Sequence, residues 1–106
     1  MTYLTSDVHG CYQEFLQLLE TIGFSEDDEL LLLGDVVDRG PEPIPLLRHI
    51  IRDPRCSLLL GNHEAFMLAV LRSPLAAEIT EESIAALTPE VLRTFSAWME
   101  DGGQVT

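Results

Sequence analysis

Basic side chains and long apolar runs are scarce in this sequence of 106 residues. Six residues are Lys or Arg against eighteen acidic ones, which gives a formal charge of −12. Nucleic acids and anionic membranes are bound by clustered basic side chains, so neither is expected as a partner. No apolar run reaches the roughly 20 residues of a membrane helix, and Asp7 interrupts the N-terminus before the apolar region of a signal peptide could form.

Cysteine is equally sparse. Cys11 and Cys56 lie 45 positions apart without a CxxC spacing, which predicts reduced thiols in a cytoplasmic protein. A cysteine-based phosphatase needs an arginine six positions after its cysteine, and Gln17 and Asn62 stand at those positions here. That chemistry is therefore excluded. We interpret both cysteines as buried small apolar residues. No Gly-x-Gly-x-x-Gly follows the first strand, which excludes a dinucleotide-binding Rossmann domain.

Short apolar runs alternate with helical periodicities, and the length permits one domain, residues 1–106. The order β-α-β-α-β, followed by an acidic helical tail, predicts an α/β fold with parallel strands and functional residues at their C-terminal ends. The continuous run Leu30–Leu33 predicts a strand buried on both faces. The expected strands are 2–6, 30–33 and 57–60. The expected helices are 12–22, a second one that Pro41 and Pro43 open and Asp53-Pro54 stops, and a third from about 64 to 71. A helical tail follows from Ala76, and its last helix begins at Thr88-Pro89 and ends at Gly102.

Each predicted strand ends in polar residues next to a glycine. Asp7 and His9 are two positions apart in extended chain, so both side chains point to one side. Asp35 follows the second strand and Asn62 the third. Oxygen and nitrogen donors of this mixture suit Mn²⁺, Fe or Zn²⁺. Taken singly, each motif is also compatible with ordinary turn chemistry, but three of them in register favour a metal site.

These residues resemble a known family. Asp7-Val8-His9-Gly10, Gly34-Asp35-Val36-Val37-Asp38-Arg39-Gly40 and Gly61-Asn62-His63-Glu64 are similar to the three N-terminal signatures of the calcineurin-like metallophosphoesterases. Within that superfamily they most resemble the phosphoprotein phosphatase branch, in its bacterial and phage serine/threonine phosphatase form. The resemblance implies the N-terminal half of a β-sandwich flanked by helices, acting on a phosphoprotein or a small phosphoester.

The resemblance also implies a role for each motif residue. Two divalent ions, with manganese favoured and iron or zinc as alternatives, would activate a water for attack on phosphorus. Asp35 would bridge the two ions. The other implied ligands are Asp7 and His9 for the first metal and Asn62 for the second.

Three further residues would act on the substrate. His63 would protonate the leaving group, and Asp38 would hold the other nitrogen of its ring. Arg39 would grip the phosphate together with Asn62. A surface ion pair of Arg39 with Asp38 or Glu42 is the alternative for that side chain.

The second metal site is incomplete in this sequence, because the family takes two further histidines from later in the domain and none follows Glu64. His49 lies mid-helix, where a packing or solvent role is expected. The ending Asp101-Gly102-Gly103-Gln104 resembles an interior stretch of bacterial members. A fragment, a truncated gene model and a natural short form all remain open.

Half of a sandwich would leave one sheet face uncovered, which predicts self-association, weak metal binding and poor turnover in this chain alone. Two other functions also remain open. A diadenosine-tetraphosphate hydrolase shares the fold and the first metal ligands, although the positions of Asp38 and Glu64 more often vary there. A non-catalytic metal-binding or interaction module would explain the absent histidines, but it has no evident need for Asp38, Arg39 and His63.

Overall fold

A computed structural model describes residues 1–73, 81–85 and 88–106. Part of the tail predicted to be helical from Ala76 therefore lies outside the described residues. Among those described, no helix is both long and apolar enough to span a membrane. The elements are β1 Thr2–Thr5, α1 Tyr12–Thr21, β2 Glu29–Leu32, α2 Pro43–Arg52, β3 Cys56–Leu58, α3 Asn62–Leu71, α4 Glu81–Ala85, α5 Pro89–Glu100 and a 3₁₀ turn Gly103–Val105.

The three strands form one parallel sheet in the order β1-β2-β3. Leu4 pairs with Leu31, and Leu32 pairs with Leu58. Each strand is followed by a helix, as the alternation of apolar runs and helical periodicities predicts, so the α/β fold class is confirmed. Because the strands are parallel, the loops that follow them emerge at one edge of the sheet.

The main core lies on one face of this sheet, under α1 and α2. Its buried members are Phe15, Leu30, Leu32, Val36, Leu46 and Ile50. Both cysteines are free, and each is half-buried where the sequence predicts a buried residue. Cys56 still packs against this core, and its burial raises the pKa of the thiol.

The opposite face of the sheet is exposed. Leu4 is 64% exposed, Leu33 45% and Leu59 53%. The prediction that the Leu30–Leu33 run is buried on both faces is therefore wrong, because only Leu30 and Leu32 point into the core. The single uncovered face expected from half of a sandwich is present.

Helix α3 begins at Asn62, two residues earlier than the periodicity predicts. The Glu64 side chain accepts the Gly61 N–H at 3.0 Å and so satisfies a donor at the helix start. Asn62 and His63 consequently lie in the first helical turn. Strand β3 is also shifted, to Cys56–Leu58 instead of 57–60.

Helices α3 and α5 pack together into a second apolar cluster beside the edge of the sheet. Val70 and Trp98 are its buried members, and Phe66 and Phe95 pack against them. Thr88 caps α5 by accepting the backbone N–H of residue 91 at 3.3 Å, as its position before Pro89 predicts. This helix pair brings the C-terminal part of the chain to the ends of the strands.

Candidate metal and phosphate site

The loops after β1 and β2 hold five side chains on strained backbone. Positive φ angles occur at Asp7 (55°), His9 (44°), Asp35 (56°), Asp38 (73°) and Arg39 (66°). Through the described ranges, no other non-glycine residue has one, and all five are residues that the sequence predicts to be functional. Left-handed conformations cost free energy and cluster at functional sites, where the surrounding structure enforces them.

Three of the predicted metal ligands come together. The donor atoms of Asp7, His9 and Asp35 lie within 4.8 Å of one another. His9 Nδ1 faces the Val37 carbonyl oxygen at 2.9 Å, and His9 Nε2 lies 3.7 Å from Asp7 Oδ1. If Nδ1 donates to that carbonyl, Nε2 is left with its lone pair toward the two carboxylates, which is the arrangement of a metal-binding histidine. The donor set fits one divalent cation.

Asp35 reaches from β2 to the N-terminus of α3. Its Oδ1 accepts the backbone N–H of His63 at 3.1 Å. A Cβ on Gly61 would overlap the same carboxylate, which explains why glycine is needed there. Asn62 lies between Gly61 and His63 in the chain, and it is exposed. Gly61 and His63, its neighbours in the chain, both lie against the Asp35 side chain, while the role of Asn62 as a ligand stays a prediction.

Glu64 fixes the loop that carries Asp35, a role that the sequence did not suggest. Its buried carboxylate, 1% exposed, accepts four backbone N–H groups. The donors are Asp35 at 2.6 Å, Val36 at 2.9 Å, Val37 at 3.2 Å and Gly61 at 3.0 Å. The start of α3 and the end of β2 are held together by this one side chain.

His63 and Asp38 form the buried pair that the motifs predict. His63 Nδ1 lies 2.8 Å from Asp38 Oδ2, and the His63 ring lies edge-on to that of His9 with centroids 4.6 Å apart. Asp38 also accepts hydrogen bonds from Trp98 Nε1 at 2.6 Å and from Thr106 Oγ1 at 2.6 Å. Sequence reasoning assigned Trp98 only to the apolar face of a helix and gave Thr106 no role.

Arg39 is engaged by Asp101, not by the partners considered for an ion pair. Its Nη2 donates to Asp101 Oδ1 at 2.6 Å, and Nε faces the Asp101 carbonyl at 3.4 Å. The other carboxylate oxygen of Asp101 lies 3.3 Å from His63 Nε2. The hydrogen bond from the Arg39 guanidinium lowers the pKa of Asp101. The sequence indicates no role for Asp101 beyond its place in the ending that resembles an interior stretch of bacterial members.

The third histidine stands apart from this site. His49 Nδ1 faces the Tyr12 hydroxyl at 3.1 Å, and its ring packs on Phe15 with centroids 5.6 Å apart. These are the contacts of a packing residue, as expected for a histidine in the middle of a helix.

Comparison with known proteins shows which family this chain resembles. The family model described as calcineurin-like phosphoesterase matches residues 2–102. Proteins named symmetrical bis(5'-nucleosyl)-tetraphosphatase from Nitrosomonas europaea and Erwinia tasmaniensis are 45% and 46% identical over 71 residues, which is 65% of this chain and 26% of each relative. The chain thus spans about a quarter of the length of these curated relatives.

Solved structures agree on the fold. A candidate diadenosine tetraphosphatase is 30% identical, with a TM-score of 0.62 over 76% of this chain and 38% of that one. A metallophosphoesterase from Sphaerobacter thermophilus, 22% identical with a TM-score of 0.50 over 91% of this chain and 40% of its own, shares the fold. With the three strand-end motifs in one site and the family model matching nearly the whole chain, the protein belongs to the calcineurin-like phosphoesterase family.

Proposed function

We propose that this chain carries the N-terminal half of the active site of a metal-dependent phosphoester hydrolase. One observation carries the proposal. The donor atoms of Asp7, His9 and Asp35 converge within 4.8 Å, and the ring of His63 lies 4.6 Å from that of His9. A metal-binding group and a proton donor therefore stand side by side, as hydrolysis of a phosphoester requires.

The residues of the chain would divide the work as follows. Asp7, His9 and Asp35 would hold one divalent ion, and Asn62 would contribute to a second. When bound, such ions neutralise charge on the phosphoryl group and lower the pKa of water. Arg39 orients the phosphoryl oxygens through its planar guanidinium. His63 donates a proton from Nε2 to the leaving oxygen, while Asp38 holds Nδ1 and stabilises the charged ring.

For the substrate, we favour a dinucleoside polyphosphate. The relatives from Nitrosomonas europaea and Erwinia tasmaniensis, 45% and 46% identical, are named for that substrate class, and so is the structure with the TM-score of 0.62. The motifs alone favour a phosphoprotein over a dinucleoside polyphosphate, so the comparisons reverse the order of the two substrate classes. Of the two residues that set that preference, Glu64 holds the loop after β2 in place and so carries no information about the substrate.

A serine/threonine protein phosphatase is the second candidate. The buried His63–Asp38 pair favours it, because a serine or threonine alkoxide is a poor leaving group that needs a proton. A phosphoanhydride releases a phosphate oxygen, whose conjugate acid has a pKa near 6, so proton donation matters less. The two substrates therefore differ in how strongly they depend on His63.

The test measures hydrolysis with Mn²⁺ of diadenosine tetraphosphate, a phosphoserine peptide and para-nitrophenyl phosphate. We expect the dinucleotide to have the highest kcat/KM and Asp35→Asn to abolish all three activities. His63→Asn should reduce phosphopeptide hydrolysis by about 10²-fold or more and dinucleotide hydrolysis by less. Glu26→Gln, on the turn before β2 and away from the site, serves as the matched control.

The outcomes separate the alternatives. A higher kcat/KM on the phosphopeptide would reverse the substrate order and leave the hydrolase proposal standing. Activity that survives Asp35→Asn would contradict the hydrolase proposal. No activity, combined with stoichiometric Mn²⁺ binding that Asp35→Asn abolishes, would favour a non-catalytic metal-binding module.

A further inference from the structure

The Asp101 carboxylate lies between Arg39 and His63, the two side chains that contact the phosphoryl group in the proposed function. We infer that Asp101 occupies the phosphate-binding position of this site and that a phosphoryl group displaces it on binding. The inference rests on the proposed function, because it takes Arg39 and His63 as the groups that contact phosphate. What is new is that the chain itself supplies the anion that competes for them.

The geometry is that of one anion between a guanidinium and an imidazole nitrogen, which donates to it when the ring carries both protons. Asp101 Oδ1 accepts from Arg39 Nη2 at 2.6 Å, and Asp101 Oδ2 lies 3.3 Å from His63 Nε2. His63 Nδ1 is taken by Asp38, so Nε2 is the nitrogen that remains for a substrate. A phosphoryl group with one oxygen on Arg39 and one on His63 would use the same two contacts. Both anions cannot make them at once.

The segment that carries Asp101 is anchored to Arg39 by its backbone. The Arg39 N–H donates to the Gly102 carbonyl oxygen at 3.1 Å. Gly102 has a φ of +98°, and a Cβ there would lie 2.7 Å from Arg39 Cγ. Only glycine allows this close approach, which delivers the preceding side chain to the guanidinium. The position of the Asp101 carboxylate is therefore built into the fold and is not a chance surface contact.

The carboxylate itself can leave. The Asp101 side chain is 44% exposed, so rotation into solvent releases both donors without moving the backbone anchor. An exposed ion pair is weak, so a more highly charged phosphoryl group can displace it. When the side chain rotates, Arg39 Nε still faces the Asp101 carbonyl oxygen at 3.4 Å, and His63 Nδ1 still contacts Asp38.

A simple positioning role makes the opposite prediction. If Asp101 only orients the Arg39 guanidinium for the substrate, removal of its charge loosens Arg39 and weakens phosphate binding. If Asp101 occupies the site, its removal frees both donors and strengthens phosphate binding. The sign of the change in affinity separates the two roles.

The experiment is calorimetric titration of the Mn²⁺-loaded chain with inorganic phosphate, for the wild type and for Asp101→Asn. We expect Asp101→Asn to bind phosphate about tenfold more tightly, the factor expected when the carboxylate fills the site about nine-tenths of the time. Glu100→Gln is the matched control, because it removes the same charge from the adjacent exposed position. It should change the affinity less than about twofold at 0.15 M salt.

A second variant tests whether the gain arises at this site. In Arg39→Ala/Asp101→Asn the gain should disappear, because one of the two donors is absent. Equal or weaker phosphate binding by Asp101→Asn, with binding still lost in Arg39→Ala, would overturn the inference and leave the proposed function intact. An absence of phosphate binding in the wild type and in Asp101→Asn alike would count against both. Circular dichroism confirms that each variant is folded.

Discussion

The Asp38 carboxylate is fully buried and accepts hydrogen bonds from three side chains that are distant in the sequence. One of them, His63, is the proposed proton donor. The other two, Trp98 and Thr106, come from the C-terminal part of the chain. A buried carboxylate with all its partners is held in one orientation, and it transmits that orientation to the imidazole. Trp98 and Thr106 are thus positioning residues for His63.

Thr106 offers the cleanest test of this arrangement, because its hydroxyl donates to Asp38 Oδ1 and accepts the Asp38 N–H at 3.1 Å. Thr106→Val keeps the shape and removes both bonds. We expect the free energy of unfolding to fall by about 1.5 kcal/mol, the value of a hydrogen bond to a charged group. We also expect kcat to fall about tenfold with KM unchanged. Urea unfolding and steady-state kinetics with Mn²⁺ measure the two effects.

Two further variants control for a general loss of structure. Thr106→Ser restores the hydroxyl and should recover most of both losses. Thr94→Val removes an exposed hydroxyl on α5 that bonds only the Glu90 carbonyl oxygen, and it should change stability by about 0.5 kcal/mol or less. Equal effects of Thr106→Val and Thr94→Val would contradict the positioning role.

At the scale of single residues, the sequence predicts which chemistry a side chain offers. It predicts less well which other residues that side chain contacts. Asp7, His9 and Asp35 are recognisable because their donor atoms and their places after strands already imply a metal site, and the structure brings them together. The ion pair between Arg39 and Asp101 joins positions 62 apart in the sequence. No local pattern encodes such a contact, because it depends on how α5 packs against α3.

At the scale of elements, Glu64 joins the loop after β2 to the start of α3. Its carboxylate accepts four backbone N–H groups while almost fully buried. An amide in its place has one acceptor oxygen and turns two N–H donors toward other donors. The geometry of Asp35 and the N-terminal turn of α3 therefore depend on the negative charge of one side chain.

We expect Glu64→Gln to lower the free energy of unfolding by about 3 kcal/mol, because several buried N–H groups lose their acceptor. Mn²⁺ affinity should fall about 10- to 100-fold, since the Asp35 loop loses its support. Glu90→Gln is the matched control, because it removes a carboxylate from the first turn of α5 at an exposed position. Urea unfolding and calorimetric titration with Mn²⁺ measure both effects, and similar losses in the two variants would contradict the assignment.

Element boundaries follow from the sequence where the signals are local. Pro43 opens α2 and Thr88-Pro89 opens α5, as capping rules predict. Helix α3 starts early because its N-cap is Gly61, whose N–H is accepted by the Glu64 side chain that also bonds the loop after β2. That boundary is set by a tertiary contact, so periodicity alone misses it.

At the scale of the whole molecule, the alternation of apolar runs and helices is enough to predict the parallel sheet. It does not predict how many faces of the sheet are covered. A continuous leucine run is typical of a strand buried on both faces, yet Leu33 is nearly half exposed. The relatives are about four times as long as the part they share with this chain. A run that suits a larger protein is thus consistent with an uncovered face here.

The exposed leucines predict that this chain self-associates through its sheet. Leu4, Leu33 and Leu59 lie on the uncovered side, each between 45% and 64% exposed. Burial of these side chains between two chains would lower the free energy. The formal charge of −12 opposes association. Because 0.5 M salt screens that repulsion, we expect the sedimentation coefficient to rise with both protein and salt concentration.

Leu59→Glu places a charge on this face and should shift the chain toward monomer at every concentration. Ile51→Glu is the matched control, because Ile51 is 74% exposed on α2, the helix that packs on the other face of the sheet. Sedimentation velocity distinguishes the two variants. A wild-type chain that stays monomeric in 0.5 M salt would contradict the prediction, and so would equal effects of the two substitutions. Association that only Leu59→Glu weakens would identify the sheet face as the contact, because both variants add the same charge.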